Sequence, residues 1–434
     1  MDELHSDKNR GDAGIGDLVN EIYMISSKEI KTVIKELPKG KDYGSDNIAA
    51  ELLQSMGEKG IELMSRLINK IYKSGQIPED FRKSIFVPVP KISRAQECSD
   101  FRTIALISHA SKVLHLIKRR ITPIVERQLG ESQVGFRKGK GTRDVIFQLR
   151  MISERVTQMN TEKEVVQDGK TKKKEKKLYL CFVDYQKAFD RVKHDKLVEI
   201  MEKAGIPELE RRLIINLYWK QLAAVRWDSG TSREIKVERG VRQGCVISPL
   251  LFNLYSEFMI REAMEGIEGI SFGGFNITDL RYADDAVLVA DKRKKLQKMI
   301  DKLNDTCKEY GMDINVKKTK VMVLGGDRVG NGSQACLTLE GVPLEQVTRF
   351  KYLGSWISED ARCEEDIRAR VGMARAAFWQ NKEVMRGNIR LSTKLKILNS
   401  YVFSIASYGC RVGHGTRRCD KKWMHWRCGA TERY

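Results

Sequence analysis

Two aspartates stand side by side in Arg281-Tyr282-Ala283-Asp284-Asp285-Ala286-Val287-Leu288-Val289-Ala290, between two short apolar stretches. Such flanks read as strands, and the acidic pair sits where a tight hairpin must turn. Burying one carboxylate is costly, and two within a few ångströms cost more unless a cation neutralises them. Hard divalent ions such as Mg²⁺ take oxygen ligands, so the hairpin reads as a metal site in want of a third carboxylate. Leu178-Tyr179-Leu180-Cys181-Phe182-Val183-Asp184 supplies one: an apolar run that reads as a strand buried on both faces and ends in an acid. Beside the hairpin, that strand would bring Asp184 to the same point as Asp284 and Asp285. Three carboxylates so placed can hold two Mg²⁺ ions about 3.5–4 Å apart, the spacing that clamps attacking and leaving oxygens in phosphoryl transfer. An Asp-Asp dipeptide alone is ordinarily a solvated turn; the apolar flanks and the strand-end acid set this one apart.

The elements that must position these acids follow from periodicity. A helix is expected from about His194 to Gly205, with Pro207 beyond, and another from Ser248-Pro249 through Leu250, Leu251, Phe252 and Tyr255. Leu296, Met299, Ile300, Leu303 and Cys307 form a helical stripe closed by Gly311, and Asp313 to Leu324 carries a further strand. Strand, helix, strand hairpin, helix, strand is the order of a ferredoxin-like α/β sheet. Nearer the N-terminus, helices are expected from about Ser27 and from Asp46, a candidate N-cap, to about Ser74. Ile85–Lys91 and Asp100–Leu106 read as a strand pair, and Ser111 to about Leu129 as an amphipathic helix with Val113, Leu114, Ile117, Ile121, Ile124 and Val125 inside. In Gln133-Val134-Gly135-Phe136-Arg137-Lys138-Gly139-Lys140-Gly141-Thr142-Arg143, three glycines among four bases allow backbone amides close to phosphates. The spacing does not fit a Walker loop.

Tyr-Ala-Asp-Asp, Phe182-Val183-Asp184-Tyr185-Gln186-Lys187-Ala188-Phe189-Asp190 and Gly240-Val241-Arg242-Gln243-Gly244-Cys245-Val246-Ile247-Ser248-Pro249-Leu250 resemble the palm motifs of reverse transcriptases, in that family's order. The non-LTR (LINE-type) retrotransposon group is the nearest match, from about Gly40 to about Gly409. The resemblance implies an α/β (α+β) right-hand polymerase with fingers, a ferredoxin-like palm and a partial helical thumb. It divides the chain into a flexible arm (1–26), fingers (27–177) with a Lys-rich insert at 160–177, palm (178–345), primer grip and partial thumb (346–410) and an irregular basic tail (411–434).

Residue by residue, the resemblance implies catalytic Asp184, Asp284 and Asp285, with the Tyr185 backbone carbonyl a further metal oxygen and Asp285 the weaker ligand. Two Mg²⁺ ions, with Mn²⁺ as substitute, are the implied cofactor. Arg102 and Lys91 would reach the incoming triphosphate, although Thr103 stands where the family usually has proline. Phe189 matches a steric gate that leaves no room for a ribose 2′-hydroxyl, and Gln243-Gly244 would lie along the nascent base pair. Arg137, Lys138 and Lys140 match a template-contacting segment, and Tyr352, Leu353 and Gly354 a primer grip. Among Lys317, Lys318 and Lys320, one is implied as proton donor to pyrophosphate, and the sequence does not say which. The implied partners are an RNA template, a DNA primer and dNTPs.

Lys plus Arg number 78 against 58 acids, a net charge of +20 over 434 residues, which favours a polyanionic partner and salt-sensitive binding. Nine scattered cysteines without paired spacing and no signal peptide lead us to expect an intracellular protein, in cytoplasm or nucleus, with reduced thiols. No apolar run reaches the roughly 20 residues needed to span a bilayer. No endonuclease fits before Gly40, and His414, Cys419, His425 and Cys428 lack zinc-site spacing, so a truncated element copy is expected. The competing reading is a catalytically inactive retroelement fragment or domesticated nucleic-acid-binding protein. A template-directed RNA polymerase is disfavoured by Phe189.

Overall fold

The computed structural model describes residues 24–42, 44, 46–108, 115–162, 176–227, 230–325 and 336–409. Residues 1–23 of the expected arm, most of the Lys-rich insert, Val113 and Leu114, and the tail with His414, Cys419, His425 and Cys428 lie outside them. The chain forms two compact units, each assembled from two stretches: Met1–Gln128 with Phe189–Leu254, and Leu129–Ala188 with Tyr255–Tyr434.

The second unit is built on a five-stranded sheet. In chain order its strands are β1 (Leu178–Val183), β2 (Asp279–Tyr282), β3 (Asp285–Ala290), β4 (Lys320–Leu324) and β5 (Glu345–Gln346). Their spatial order is β5-β4-β1-β3-β2, and β1 pairs antiparallel with both β3 and β4. The first four thus adopt the 4-1-3-2 arrangement of a ferredoxin-like sheet, as the sequence leads one to expect. Helix α1 (Thr142–Glu162) covers one face, where Val145, Leu149 and Ile152 pack with Leu178, Leu180, Phe182, Val287, Val289 and Met322. The odd-numbered residues Cys181 and Val183 point to the other face, covered by α3 (Arg293–Glu309). This two-sided burial is why β1 reads as an unbroken apolar run. Helix α2 (Ser248–Ala263), from Tyr255 onward, braces α3 through the Tyr255 hydroxyl, which donates to the Tyr310 carbonyl at 2.5 Å. A hairpin of β6 (Arg349–Tyr352) and β7 (Ser355–Ser358) precedes a helical region opening with Glu364–Gln380.

In the first unit, Lys83–Pro90 and Phe101–Ile107 pair antiparallel with Val89 opposite Arg102, and Leu222–Trp227 runs parallel to Lys83–Pro90. The helix Ser27–Lys35 begins as the sequence implies, with a Ser26–Glu29 capping box. The helix expected from Asp46 to Ser74 is instead two, Ala50–Gln54 and Glu58–Ser74, divided at Gly57. Asp46 is not a helix cap: its carboxylate accepts from the Ile48 N–H at 3.3 Å and from the Ser108 hydroxyl, which fastens the preceding turn. Glycine's low helix propensity accounts for the division.

Leu180, fully buried at the centre of β1, should lose about 2–5 kcal/mol of stability on substitution by alanine, read from urea unfolding.

Candidate active site

Strand register builds the site. Val183 lies opposite Ala286, so the next position along the ladder sets Asp184 opposite Asp285. The β2–β3 hairpin closes through two residues, Ala283 and Asp284, because Tyr282 pairs directly with Asp285. The three predicted acids are therefore carried to one end of the sheet. Their mutual field is visible at Asp285, whose carboxyl is pushed up to about 6 by burial, by Asp284 and by Asp184. Asp285 nevertheless keeps one side open to solvent. Burial also raises Asp184, and the nearby Lys318 charge opposes that shift.

The chain leaving β1 is held by its neighbour. The Asn315 N–H donates to the Asp184 carbonyl at 2.7 Å, and the Gln186 N–H donates to the Asp313 carbonyl at 2.9 Å. Tyr185 and Ile314 thus form an antiparallel bridge of the non-hydrogen-bonded kind, which turns the Tyr185 carbonyl away from that segment. The Asp184 N–H donates to the Thr319 hydroxyl at 3.3 Å. Three carboxylates and one free-facing carbonyl are an all-oxygen donor set, the chemistry of a hard divalent cation. Among the described residues, no three His, Cys, Asp or Glu side chains are already gathered into a cation cage. The expected Asp184–Asp284–Asp285 cage is here a convergence of strand ends.

Sequence reasoning missed what supports the hairpin. Ala283 takes a left-handed backbone, φ +57°, in the first turn position, a place ordinarily filled by glycine. Fully buried Gln133 brackets it: the Ala283 N–H donates to Gln133 Oε1 at 2.9 Å, and Gln133 Nε2 donates to the Ala283 carbonyl at 3.3 Å. The flanking backbone runs beside β2, with the Val134 N–H donating to the Arg281 carbonyl and the Arg281 N–H to the Ser132 carbonyl. Gly135 is obligatory here, since a Cβ would fall 2.3 Å from the Ala283 nitrogen. Below, buried Arg281 reaches Asp279 at 2.6 Å, Glu257 at 2.9 Å and the Ser132 hydroxyl at 2.9 Å. Breaking such a buried network by removing one partner typically costs about 3–5 kcal/mol. The signals were present as a lone arginine in an apolar strand and a glycine two residues beyond a glutamine.

Other predicted residues find different company. Arg137 turns inward and donates to the carbonyls of Gly130 and Gln133, at 2.8 and 2.9 Å, and Lys140 pairs with Glu131 at 2.7 Å. Lys138 is exposed. Tyr352 is buried, and its hydroxyl donates to the Asp285 carbonyl at 3.1 Å, so its side chain holds the acidic hairpin. Leu353 and Gly354 form the tip of the β6–β7 hairpin; the Leu353 carbonyl accepts from the Tyr408 hydroxyl at 2.8 Å, and the Gly354 carbonyl from Arg370. Lys320 is engaged by Glu345 and the Lys317 carbonyl, both at 2.6 Å.

Lys91, Arg102, Phe189, Gln243 and Gly244 belong to the first unit. There the Phe189 ring stacks on buried Phe252, centroids 4.3 Å apart, and the Phe189 carbonyl accepts from the Val241 N–H at 2.8 Å. Gln243 Nε2 donates to Asp190 at 3.2 Å, and the Gln243 carbonyl accepts from the Ala105 N–H at 2.9 Å. Gly244, at φ +110°, lies so close that a Cβ would meet the Ala105 carbonyl oxygen at 2.7 Å. The structure thus joins Phe189, Gln243 and Gly244 to the strand that carries Arg102. Arg102 itself is exposed, and the Lys91 N–H donates to the Asp100 carbonyl at 2.8 Å.

A 4-1-3-2 antiparallel sheet that gathers acids from its first strand and its central hairpin is the palm of a right-hand polymerase. The sequence matches the family described as "Reverse transcriptase (RNA-dependent DNA polymerase)" over residues 89–357, more than half of its length, and the chain belongs to that family. It is 26% identical over 346 residues to the Pol polyprotein of the type-1 retrotransposable element R2 of Nasonia vitripennis, covering 79% of this chain and 31% of that protein. It is also 26% identical over 398 residues to the probable RNA-directed DNA polymerase of the X-element of Drosophila melanogaster, covering 88% and 41%. These relatives place the chain with the non-LTR retrotransposon enzymes that its motifs resemble, and it spans between about a third and two fifths of their length. Among solved structures it is similar to telomerase from Candida tropicalis in complex with a TWJ fragment of telomeric RNA, at 13% identity and a TM-score of 0.47, covering 87% of this chain and 61% of that one.

Because the folded state holds a proton on Asp285 up to about 6, against an ordinary 3.8, it binds more protons than the unfolded chain between those values. This group's contribution to stability therefore falls as pH rises through that window, and the penalty persists above it. At pH 7.5 without divalent cation, Asp285→Asn should raise the melting temperature. Added Mg²⁺ or Mn²⁺ should stabilise the wild type and stabilise the variant less. Scanning calorimetry with and without cation tests this, and equal cation shifts in the two proteins would refute it.

Proposed function

We propose that the chain is a polymerase module that copies an RNA template into DNA by adding deoxynucleotides to a primer 3′-hydroxyl at Asp184, Asp284 and Asp285. The observation that carries this reading is the convergence of the strand ends that bear those three acids, close enough that Asp284 and Asp184 add to burial in raising the Asp285 carboxyl. Phosphoryl transfer leaves little covalent work to a protein, so positioning and charge stabilisation suffice. A divalent cation held by these carboxylates and the Tyr185 carbonyl would neutralise phosphate oxygens and acidify the primer hydroxyl; Mg²⁺ is the expected ion, with Mn²⁺ as substitute.

The chain's own residues do the rest. Asp184 and Asp284 are the principal ligands, and Asp285 adds charge at the mouth of the site. Arg102, exposed on its strand, can grip triphosphate oxygens bidentately, and Lys91 can add a point charge. The Phe189 ring, stabilised by stacking on Phe252, excludes a sugar 2′-hydroxyl, while the Gln243–Gly244 backbone offers close approach to a base pair. Lys318 is better placed than Lys320 to protonate pyrophosphate: its charge is felt at Asp184, whereas Lys320 is tied to Glu345. Exposed Lys138 and the Leu353–Gly354 tip, exposed at Gly354, are suited to template and primer backbones.

Extension of a DNA primer on an RNA template, with dNTPs and Mg²⁺, should occur with wild type and disappear with Asp284→Asn, while RNA binding in a gel shift stays close to wild type. Equal loss of binding and extension would overturn the ligand role. No extension by either protein, with tight salt-dependent RNA binding, would favour a nucleic-acid-binding descendant that no longer polymerises. Phe189→Ala should admit ribonucleotides; unchanged sugar discrimination in single-nucleotide incorporation would make Phe189 a packing residue only.

A further inference from the structure

We infer that Gln133 is a positioning residue for catalysis: its side-chain amide locks the turn that presents Asp284 and Asp285. The inference rests on the hairpin being the catalytic centre and adds a residue that acts through it.

Three observations converge on this amide. Gln133 is fully buried, and its two ends meet both polar groups of one residue, Ala283, as a neighbouring strand would. Oε1 also accepts from the Gly135 N–H at 2.9 Å, which fixes the direction from which the amide approaches. Ala283 is the residue immediately before Asp284, and its left-handed backbone is disfavoured for any side chain with a Cβ. An alanine there holds one backbone geometry only if something outside the turn stabilises it, whereas a glycine would visit several. The turn is therefore stiff because of a contact across 150 residues of sequence.

The opposite side of the hairpin is held separately, by Tyr352 on the Asp285 carbonyl. Between these two anchors, the backbone of the acidic pair is gripped on both flanks. Gln133 is neutral, so it fixes geometry without adding to or cancelling the charge that must receive a cation and a triphosphate. Arg281, the basic residue nearest in sequence to the turn, is kept below it by Asp279 and Glu257.

Gln133→Met preserves length and burial but can neither accept from Ala283 and Gly135 nor donate to the Ala283 carbonyl. The expected result is a kcat loss of about 10–100-fold, as for residues that orient a metal ligand, with little change in KM for primer–template. Hydrogen exchange by mass spectrometry should quicken in the peptide spanning the β2–β3 turn and not in α1. Ala283→Gly placed in the Gln133→Met background should recover part of the lost kcat, since glycine needs no external support to adopt the left-handed turn. If Gln133→Met does not fold, Gln133→Glu decides: it retains an acceptor for both N–H groups, and its added negative charge should lower the Mg²⁺ concentration for half-maximal rate while the lost donor to the Ala283 carbonyl lowers kcat. Unchanged exchange in the turn, unchanged kcat, or a loss confined to KM would each overturn the inference, as would a Gln133→Glu variant with unaltered Mg²⁺ dependence. Should wild type fail to extend primers, the exchange arm still tests the clamp, and the failure falls on the proposed activity.

Discussion

The second unit is organised around the crowding of carboxylates at one end of its sheet. Asp184, Asp284 and Asp285 are brought together by the pairing of β1 with β3, yet three negative charges at one sheet end oppose that pairing. Burial sharpens the conflict, and Asp285 records it as a carboxyl displaced to about 6. Such a site persists only because surrounding contacts over-determine it. β1 is buried on both faces; Gln133 and Tyr352 fasten the hairpin from two sides; Arg281, Asp279 and Glu257 form an ion-paired layer beneath. Stability invested in the sheet is what keeps the acids close enough for chemistry.

The same logic reconciles two opposite electrostatic scales. Over the whole chain, an excess of 20 positive charges favours approach of a polyanion. At the acids the local field is negative and favours a divalent cation. Among the described basic groups near the acids, Arg281 is paired below the turn, Lys320 is bound to Glu345, and Lys318 lets its charge reach Asp184. A cation from solution, rather than a fixed arginine, is left as the natural partner of the site.

Local pattern made the strands and the acidic hairpin legible, because an apolar run ending in Asp184 and an Asp-Asp turn between apolar flanks each carry their own signal. The 4-1-3-2 sheet followed from element order. Contacts between distant segments were not legible: Gln133 and Ala283 are separated by 150 residues, and nothing local in Gln-Val-Gly distinguishes a turn clamp from a phosphate-approaching loop. Arg137 illustrates the same limit, since a basic residue among glycines invites a nucleic-acid role while its guanidinium closes its own loop. Asp46 was misread for a related reason. Its side chain serves a turn that Ser108 completes from another strand end, and Gly57 then restarts the helix.

The composition of the clamp is itself informative. A glutamate at 133 would add a fourth negative charge beside the acids and could not donate to the Ala283 carbonyl. A lysine or arginine could not accept from the Ala283 N–H and would compete with the cation for the carboxylates. An asparagine, one methylene shorter, would retreat from Ala283 on the fixed backbone beside β2. An amide of this length satisfies donor and acceptor at once and stays neutral at every working pH. Where charge is the reagent of a site, the parts that hold its geometry are best left uncharged, and the buried Gln133 and Tyr352 on either flank of Asp284–Asp285 both meet that condition.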